Sequence, residues 1–262
     1  MDRLRAPWLT VALCACSVSV CVAQSSAPTE ISPDRPDFTD SPDVVGHHVI
    51  QLETGIRFER TPDAIDRITT PQMLVRFGLG SRFELRFGDD GFESESTPAP
   101  AGRTHVAGSA DAQLGAKVKL LGDSGGGFAL AVIPFLSLPT ASGGFGTGAF
   151  DPGFKLAWET DLPRGFGISG NFYAASATDD ARRTWDRQVS VSMDHDLAGS
   201  WSAYWEAYGA RHDGRCECTL DTGVSRGIGP NRQIDFEVGR GIDGNAHDWF
   251  AGLGFAVRHV PR

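Results

Sequence analysis

Several short stretches carry residue types and spacings that do chemistry in other settings. The run Gly-Asp-Ser-Gly-Gly at 122–126 places Ser124 in the surroundings of a trypsin-like nucleophile. That chemistry needs a histidine base and an orienting aspartate, and no matching histidine segment lies upstream. The run reads instead as a tight turn joining two strands. At 239–244 a Gly-x-Gly-x-x-Gly follows an apolar stretch. A dinucleotide site needs a helix next, to receive the pyrophosphate, and the residues that follow have the pattern of another strand. Three histidines stand beside aspartates: His195 between Asp194 and Asp196, His212 before Asp213, and His247 before Asp248. With a serine, such a pair would serve an enzyme modifying envelope lipid. The elements around them place His195 at one end of the molecule and His212 and His247 at the other, so solvated rim residues are the stronger reading.

The cysteines follow from the N-terminus. Residues 1–23 have the layout of a secretory signal: Arg3 and Arg5, an apolar stretch over 8–22, and Cys21-Val22-Ala23 as the cleavage site before Gln24. Its removal takes three of the five cysteines and leaves Cys216 and Cys218 in an oxidising compartment. Two residues apart on one strand face, they stand near the upper limit of disulfide reach. A loop-stiffening disulfide is therefore one expectation. Zinc is the weaker one, because two thiolates do not complete a tetrahedral site. No metal or cofactor is expected.

Composition narrows the class. The 262 residues carry 24 Lys+Arg against 33 Asp+Glu, a net charge of -9, without the basic stripe that nucleic acid requires. Mean hydropathy is -0.19. Beyond the signal, no run approaches the roughly 20 apolar residues of a membrane-spanning helix.

Past residue 46 the chain alternates. Ile50, Leu52, Thr54, Ile56 and Phe58 fall on one face of a strand, and Gln51, Glu53, Gly55, Arg57 and Glu59 on the other. The same period of two recurs at 73–79, 83–87, 112–120, 154–158, 166–174, 189–193, 201–209, 218–224, 234–238 and 249–257, and the more uniformly apolar 128–138, interrupted at Pro134, gives one strand more. That makes about 12 strands, with no amphipathic helix. The connections alternate too. Short Gly/Asp/Ser-rich turns, such as 78–81 and 161–165, take turns with mostly longer segments such as 89–107 and 139–152. An antiparallel transmembrane β-barrel has this rhythm, with short periplasmic turns and long external loops. The polar face carries Arg, Lys, Glu and Asp, which suits a wet lumen and not a dry core. Trp158 and Trp201 fall towards the periplasmic strand ends and Trp185 and Trp249 towards the external ones, as an aromatic girdle requires.

Several runs resemble one family, the outer-membrane proteins grouped under the meta-pathway of phenol degradation. They are Pro33-Asp34-Arg35-Pro36-Asp37-Phe38-Thr39-Asp40, then Gly46-His47-His48-Val49-Ile50-Gln51-Leu52-Glu53-Thr54-Gly55. Thr70-Pro71-Gln72-Met73-Leu74-Val75-Arg76-Phe77-Gly78, Phe83-Glu84-Leu85-Arg86 and Leu138-Pro139-Thr140 continue the match. The similarity spans most of 33–258. It implies an outer-membrane barrel that passes small molecules, aromatic compounds among them. In one respect the chain departs from many such barrels. Its last residues, Phe255-Ala256-Val257-Arg258-His259-Val260-Pro261-Arg262, lack the terminal aromatic that the barrel-assembly machinery reads.

The expected organisation is a signal peptide at 1–23, an irregular periplasmic segment at 24–46 and an outer-membrane barrel at 47–262. Lumen-lining candidates are Glu53, Arg57, Arg76, Arg82, Glu84, Arg86, Lys117, Lys119, Lys155, Glu206, Asp235 and Glu237. Arg76, Arg82, Arg86, Lys117 and Lys119 fall on the second to fourth expected strands, and Glu206, Asp235 and Glu237 on the ninth to eleventh. Closure would set the two groups face to face. They would either create a transverse field that orients a permeant or pair and plug the barrel. Passive passage of a small-molecule permeant is the functional expectation, with outer-membrane lipid and the assembly machinery as partners. A closed structural barrel, a lipid-modifying barrel enzyme and a secreted soluble β-barrel binding protein are the alternatives.

Overall fold

The computed structural model describes residues 30–122, 127–179, 182–212, 214–243 and 246–261. The expected signal peptide, Ser124, Asp213 and Gly244 lie outside them. The described residues form β1 (Ile50–Arg60), β2 (Asp66–Gly78), β3 (Phe83–Asp89), β4 (Phe92–Ala99), β5 (Gly102–Ser109), β6 (Ala112–Leu121) and β7 (Ala129–Ser137). They continue as β8 (Asp151–Leu162), β9 (Phe166–Asp179), β10 (Arg182–Asp196), β11 (Trp201–His212), β12 (Arg215–Gly227), β13 (Arg232–Gly241) and β14 (Trp249–His259).

Each wall strand pairs antiparallel with its neighbours, and β1 pairs with both β2 and β14. The sheet therefore closes as a twelve-stranded barrel, which leaves no wall edge unpaired, as a bilayer demands. The two additional strands, β4 and β5, lie where the sequence pattern placed a long external loop. Their origin is a mismatch in length. The outer end of β2, Asp66–Thr70, extends past β3 and would be a bare edge, and β4 pairs with it from Phe92 to Ser96. Pro134 sits inside β7, where the ladder to β6 passes from the pair Gly115–Phe135 to Val118–Val132. The proline, which has no N–H to give, falls in that interval.

The two faces are inverted relative to a soluble barrel. Along β13, Ile234, Phe236 and Val238 are exposed while Gln233, Asp235 and Glu237 are buried. Leu85, Phe87, Leu114, Val189, Val191 and Leu253 are exposed in the same way. Leu114 is 54% exposed; Arg76 and Lys117 are at 0%. Apolar side chains outward and charges inward is the arrangement a lipid surround favours, since an outward charge at mid-bilayer costs about 2–4 kcal/mol. Trp185 and Trp249 are exposed at one end of the wall and Trp201 at the other.

The lumen is not empty. The chain from Glu30 to Gly46 has no regular structure and lies within the barrel instead of below it. Ile31 donates its N–H to Pro230 O at the periplasmic turn after β12 (2.9 Å), and His48 donates to Gly78 O (2.8 Å). Between those points the segment rises into the barrel and returns. At its exit it packs so closely on β2 that a Cβ on Gly78 would fall 1.5 Å from Gly46 O. Only glycine fits there.

Candidate permeation pathway

The interior residues are positioned by period-two alternation of the wall, and most of them meet the N-terminal segment. Arg76 on β2 is the centre of one cluster. Its Nε and Nη2 donate to the Glu84 carboxylate at 2.8 and 3.1 Å, and its Nη1 donates to Glu53 Oε1 at 3.2 Å. The same guanidinium donates to two carbonyls of the segment, Ser32 O at 3.1 Å and Asp43 O at 2.7 Å. Lys117 on β6 donates to both Asp34 oxygens (3.0 and 2.9 Å), to Ser41 O (2.7 Å) and to Asp43 O (3.0 Å). Arg86 binds Asp34 and, at 2.8 Å, Asp40. Lys119 reaches Asp43 at 2.6 Å, and Lys155 pairs with Asp40.

Burial alone would raise the Asp34 carboxyl, but Arg76, Lys117 and Arg86 outweigh it and hold it well below the usual carboxylate range. A depressed carboxylate favours the seated segment at every pH above its ordinary value, and the contribution disappears only as pH falls through the lowered one. Backbone groups are matched as well. Asp34 N–H donates to Glu53 Oε2 and Val45 N–H to Glu84 Oε2, both at 2.9 Å. Asn171 on β9 accepts from Asp40 N–H and donates to Asp40 O, each at 2.8 Å.

The opposite half, from β10 to β14, is built differently. Glu206 on β11 accepts from Phe38 N–H at 2.7 Å and from the Thr39 hydroxyl, which also meets the Ser190 hydroxyl at 2.6 Å. Arg35 spans towards Gln72 (3.2 Å) and Asp235 (3.5 Å). Arg57 lies 3.8 Å from Glu237 and 3.6 Å above the Phe250 ring. Phe38 stacks on Tyr208 with ring centroids 4.4 Å apart. These two rings floor an outer chamber of about 300 Å³ at the external end, beside Arg57, Glu59, Arg67 and His247. Asp37 and Thr39, the neighbours of Phe38, line a second chamber of about 270 Å³ on the periplasmic side, with Tyr204, Ser169 and Ser202. Residues 37–39 therefore form the septum between the two chambers.

The wall thus brings Glu53, Glu84, Arg76, Arg86, Lys117, Lys119 and Lys155 to one half and Arg57, Glu206, Asp235 and Glu237 to the other. Arg82 does not join them. It precedes β3, in a turn where alternation no longer governs direction, and it is exposed, donating to Leu120 O at 3.3 Å. Cys216 and Cys218 form no disulfide. In an extended strand, residues two apart stand side by side at roughly 6.6 Å, which leaves the sulfurs short of bonding geometry. Among the described residues no group of three or more His, Cys, Asp or Glu is arranged to hold a metal. The histidines sit at the rims: His195 stacks on Phe166 (4.3 Å) beside a periplasmic turn, while His212 meets Asp186 (2.6 Å) and His247 meets Glu59 (3.1 Å) at the external end.

Sequence reading missed Asp34, Arg35, Phe38, Thr39, Asp40 and Asp43, because an aperiodic segment carries no sign of where it lies. It also missed Asn171, Ser190 and Asp221. Each is a polar residue in register with an otherwise apolar alternation, and that signal was present.

Comparison with known proteins follows the same lines. The profile of a family described as "Putative MetA-pathway of phenol degradation" matches residues 33–259. Among solved structures, the chain is similar to an outer membrane channel from Pseudomonas putida F1, with a TM-score of 0.61 at 12% identity. The likeness covers 86% of this chain and 100% of that one. It is also similar to the NanC porin, with a TM-score of 0.52 at 10% identity, over 79% of this chain and 98% of that one. No curated protein matches the sequence.

Proposed function

The chain belongs to the MetA-pathway phenol-degradation family, and from that premise we propose that it lies in the outer membrane of a Gram-negative cell and passes small solutes passively. The observation that carries the reading is the pair of chambers on either side of the Phe38–Tyr208 contact, inside a wall whose outer face is apolar. A structural barrel would gain nothing from opening its interior towards both ends. Named channels and porins of the same fold support a role in transport over one in catalysis. Aromatic or otherwise hydrophobic compounds are the solute class that the family description suggests, and the half-buried Phe38–Tyr208 stack beside the external chamber offers such a ring an apolar surface.

The test is conductance. Purified protein, shown to be folded by a gel shift on boiling, is expected to produce discrete current steps in a planar bilayer. It should also speed the swelling of liposomes in phenol-sized solutes. A folded barrel that yields neither would contradict the transport reading.

A further inference from the structure

We propose that solutes cross this barrel alongside the seated N-terminal segment, over the half of the lumen formed by β10–β14, and that this route prefers cations to anions. The inference rests on the channel reading above and specifies its route and permeant.

The segment lies across the basic half and leaves there a cavity of about 150 Å³ beside Glu53 and Gln72. Arg76 and Lys117 have no exposed surface, and the carboxylates of Asp34, Asp40 and Asp43 neutralise the cations there. The acidic half receives less. Glu206 and Asp221 stand directly opposite each other in the β11–β12 register, both facing the lumen. Side by side, the two carboxyls share a hydrogen bond, so that one proton lies between them and one negative charge remains on the pair. The cations that reach this half are Arg35 and Arg57, and each is engaged: Arg35 with Asp235, and Arg57 with Glu237, Glu59 and the Phe250 ring. Among the described residues, Asp221 Oδ1, Asp235 Oδ2 and the Tyr204 hydroxyl have no hydrogen-bond partner, and neither have Arg35 Nε and Ser192 Oγ. Asp221, Asp235 and Tyr204 are 7%, 4% and 5% exposed.

The wall is shaped to keep those carboxylates in the lumen. On β14, a Cβ at Gly252 would fall 2.3 Å from Glu237 Oε1, and one at Gly254 would fall 2.3 Å from Asp235 Oδ1. At the septum Asp37 lies beside the Glu206 and Asp221 carboxyls, and burial together with them pushes its own carboxyl well above its ordinary range; the field there is negative, and Asp37 itself keeps its proton. The approaches agree with it. The periplasmic chamber is lined by Asp37, Glu159 and Asp194 with Arg35, and carboxylates also outnumber cations around the external one. A permeant cation would meet more carboxylates than cations in both chambers, an arrangement unfavourable to an anion. Potassium and an organic ammonium ion share the required chemistry.

The experiment is a reversal potential in a potassium chloride gradient, on wild-type protein and on Glu206→Gln/Asp221→Asn. A cation preference in the wild type that falls roughly fivefold in the variant is expected, the effect of about one unit charge at contact distance in water. Conduction without preference, or with preference for chloride, would overturn the proposed route and leave the channel reading standing; so would a preference that the double variant leaves unchanged. No conduction would remove both. The wild-type potential alone decides the sign, whatever the folding of the variant.

Discussion

Deleting residues 31–45 is expected to raise conductance several-fold and at the same time to erase the ion preference. With the segment seated, the half lined by Arg76, Arg86, Lys117, Lys119 and Lys155 is covered and neutral, and the free space borders carboxylates. Without it, Asp34, Asp37, Asp40 and Asp43 leave together. The wall then presents those cations and Arg57 against Glu53, Glu84, Glu206, Asp221, Asp235 and Glu237, an even mixture. The barrel itself should survive, because its backbone hydrogen bonds are made between wall strands and not to the segment. The newly exposed charges would meet water. Single-channel current and reversal potential check both halves of the prediction. A deletion that left the current unchanged would mean that the segment does not stand in the lumen.

Replacing Arg76 by alanine is expected to be worse for the folded protein than removing the whole segment. Its guanidinium holds Glu84 by two hydrogen bonds, Glu53 by another, lies 3.4 Å from Asp34, and ties down the Ser32 and Asp43 carbonyls. Truncation leaves those carboxylates together, buried, without their central cation. Breaking a buried ion pair from one side costs about 3–5 kcal/mol, mainly because the remaining charge has no partner. The measurement is the temperature at which the folded band converts to the unfolded one on a gel, expected to fall clearly in Arg76→Ala. Adding Glu84→Gln should recover part of the loss, since one of the stranded charges is then removed. A simple contact deletion would make the second change additive or harmful.

The sequence disclosed the wall almost strand by strand. Alternation such as Ile234-Asp235-Phe236-Glu237-Val238 has one explanation in a closed sheet, and the rhythm of short and long connections sets both the strand count and which end faces out. It disclosed the charge division too, since Arg86 and Glu237 each keep the parity of their strand. Contacts between distant positions were not legible. Thr39 meets Ser190 across a separation of 151 residues, and nothing local to the Asp-Arg-Pro run announces that it will turn into the lumen. The β4–β5 hairpin was hidden for a related reason: it forms because β2 outlasts β3, a difference in length that neither strand shows alone. Arg82 was misplaced because alternation was carried one residue past the end of a strand.

The seating of the segment in a membrane-embedded barrel is the claim on which the rest depends, and a disulfide tests it. Thr39 and Ser190 bring their hydroxyl oxygens to 2.6 Å, within a small adjustment of a sulfur–sulfur bond. Thr39→Cys/Ser190→Cys, in a background of Cys216→Ser and Cys218→Ser, is expected to cross-link in isolated outer membranes, giving a boiled band whose mobility changes on reduction. Two thiols that remain separate and both react with a water-soluble maleimide would show the segment outside the lumen, and would contradict the account.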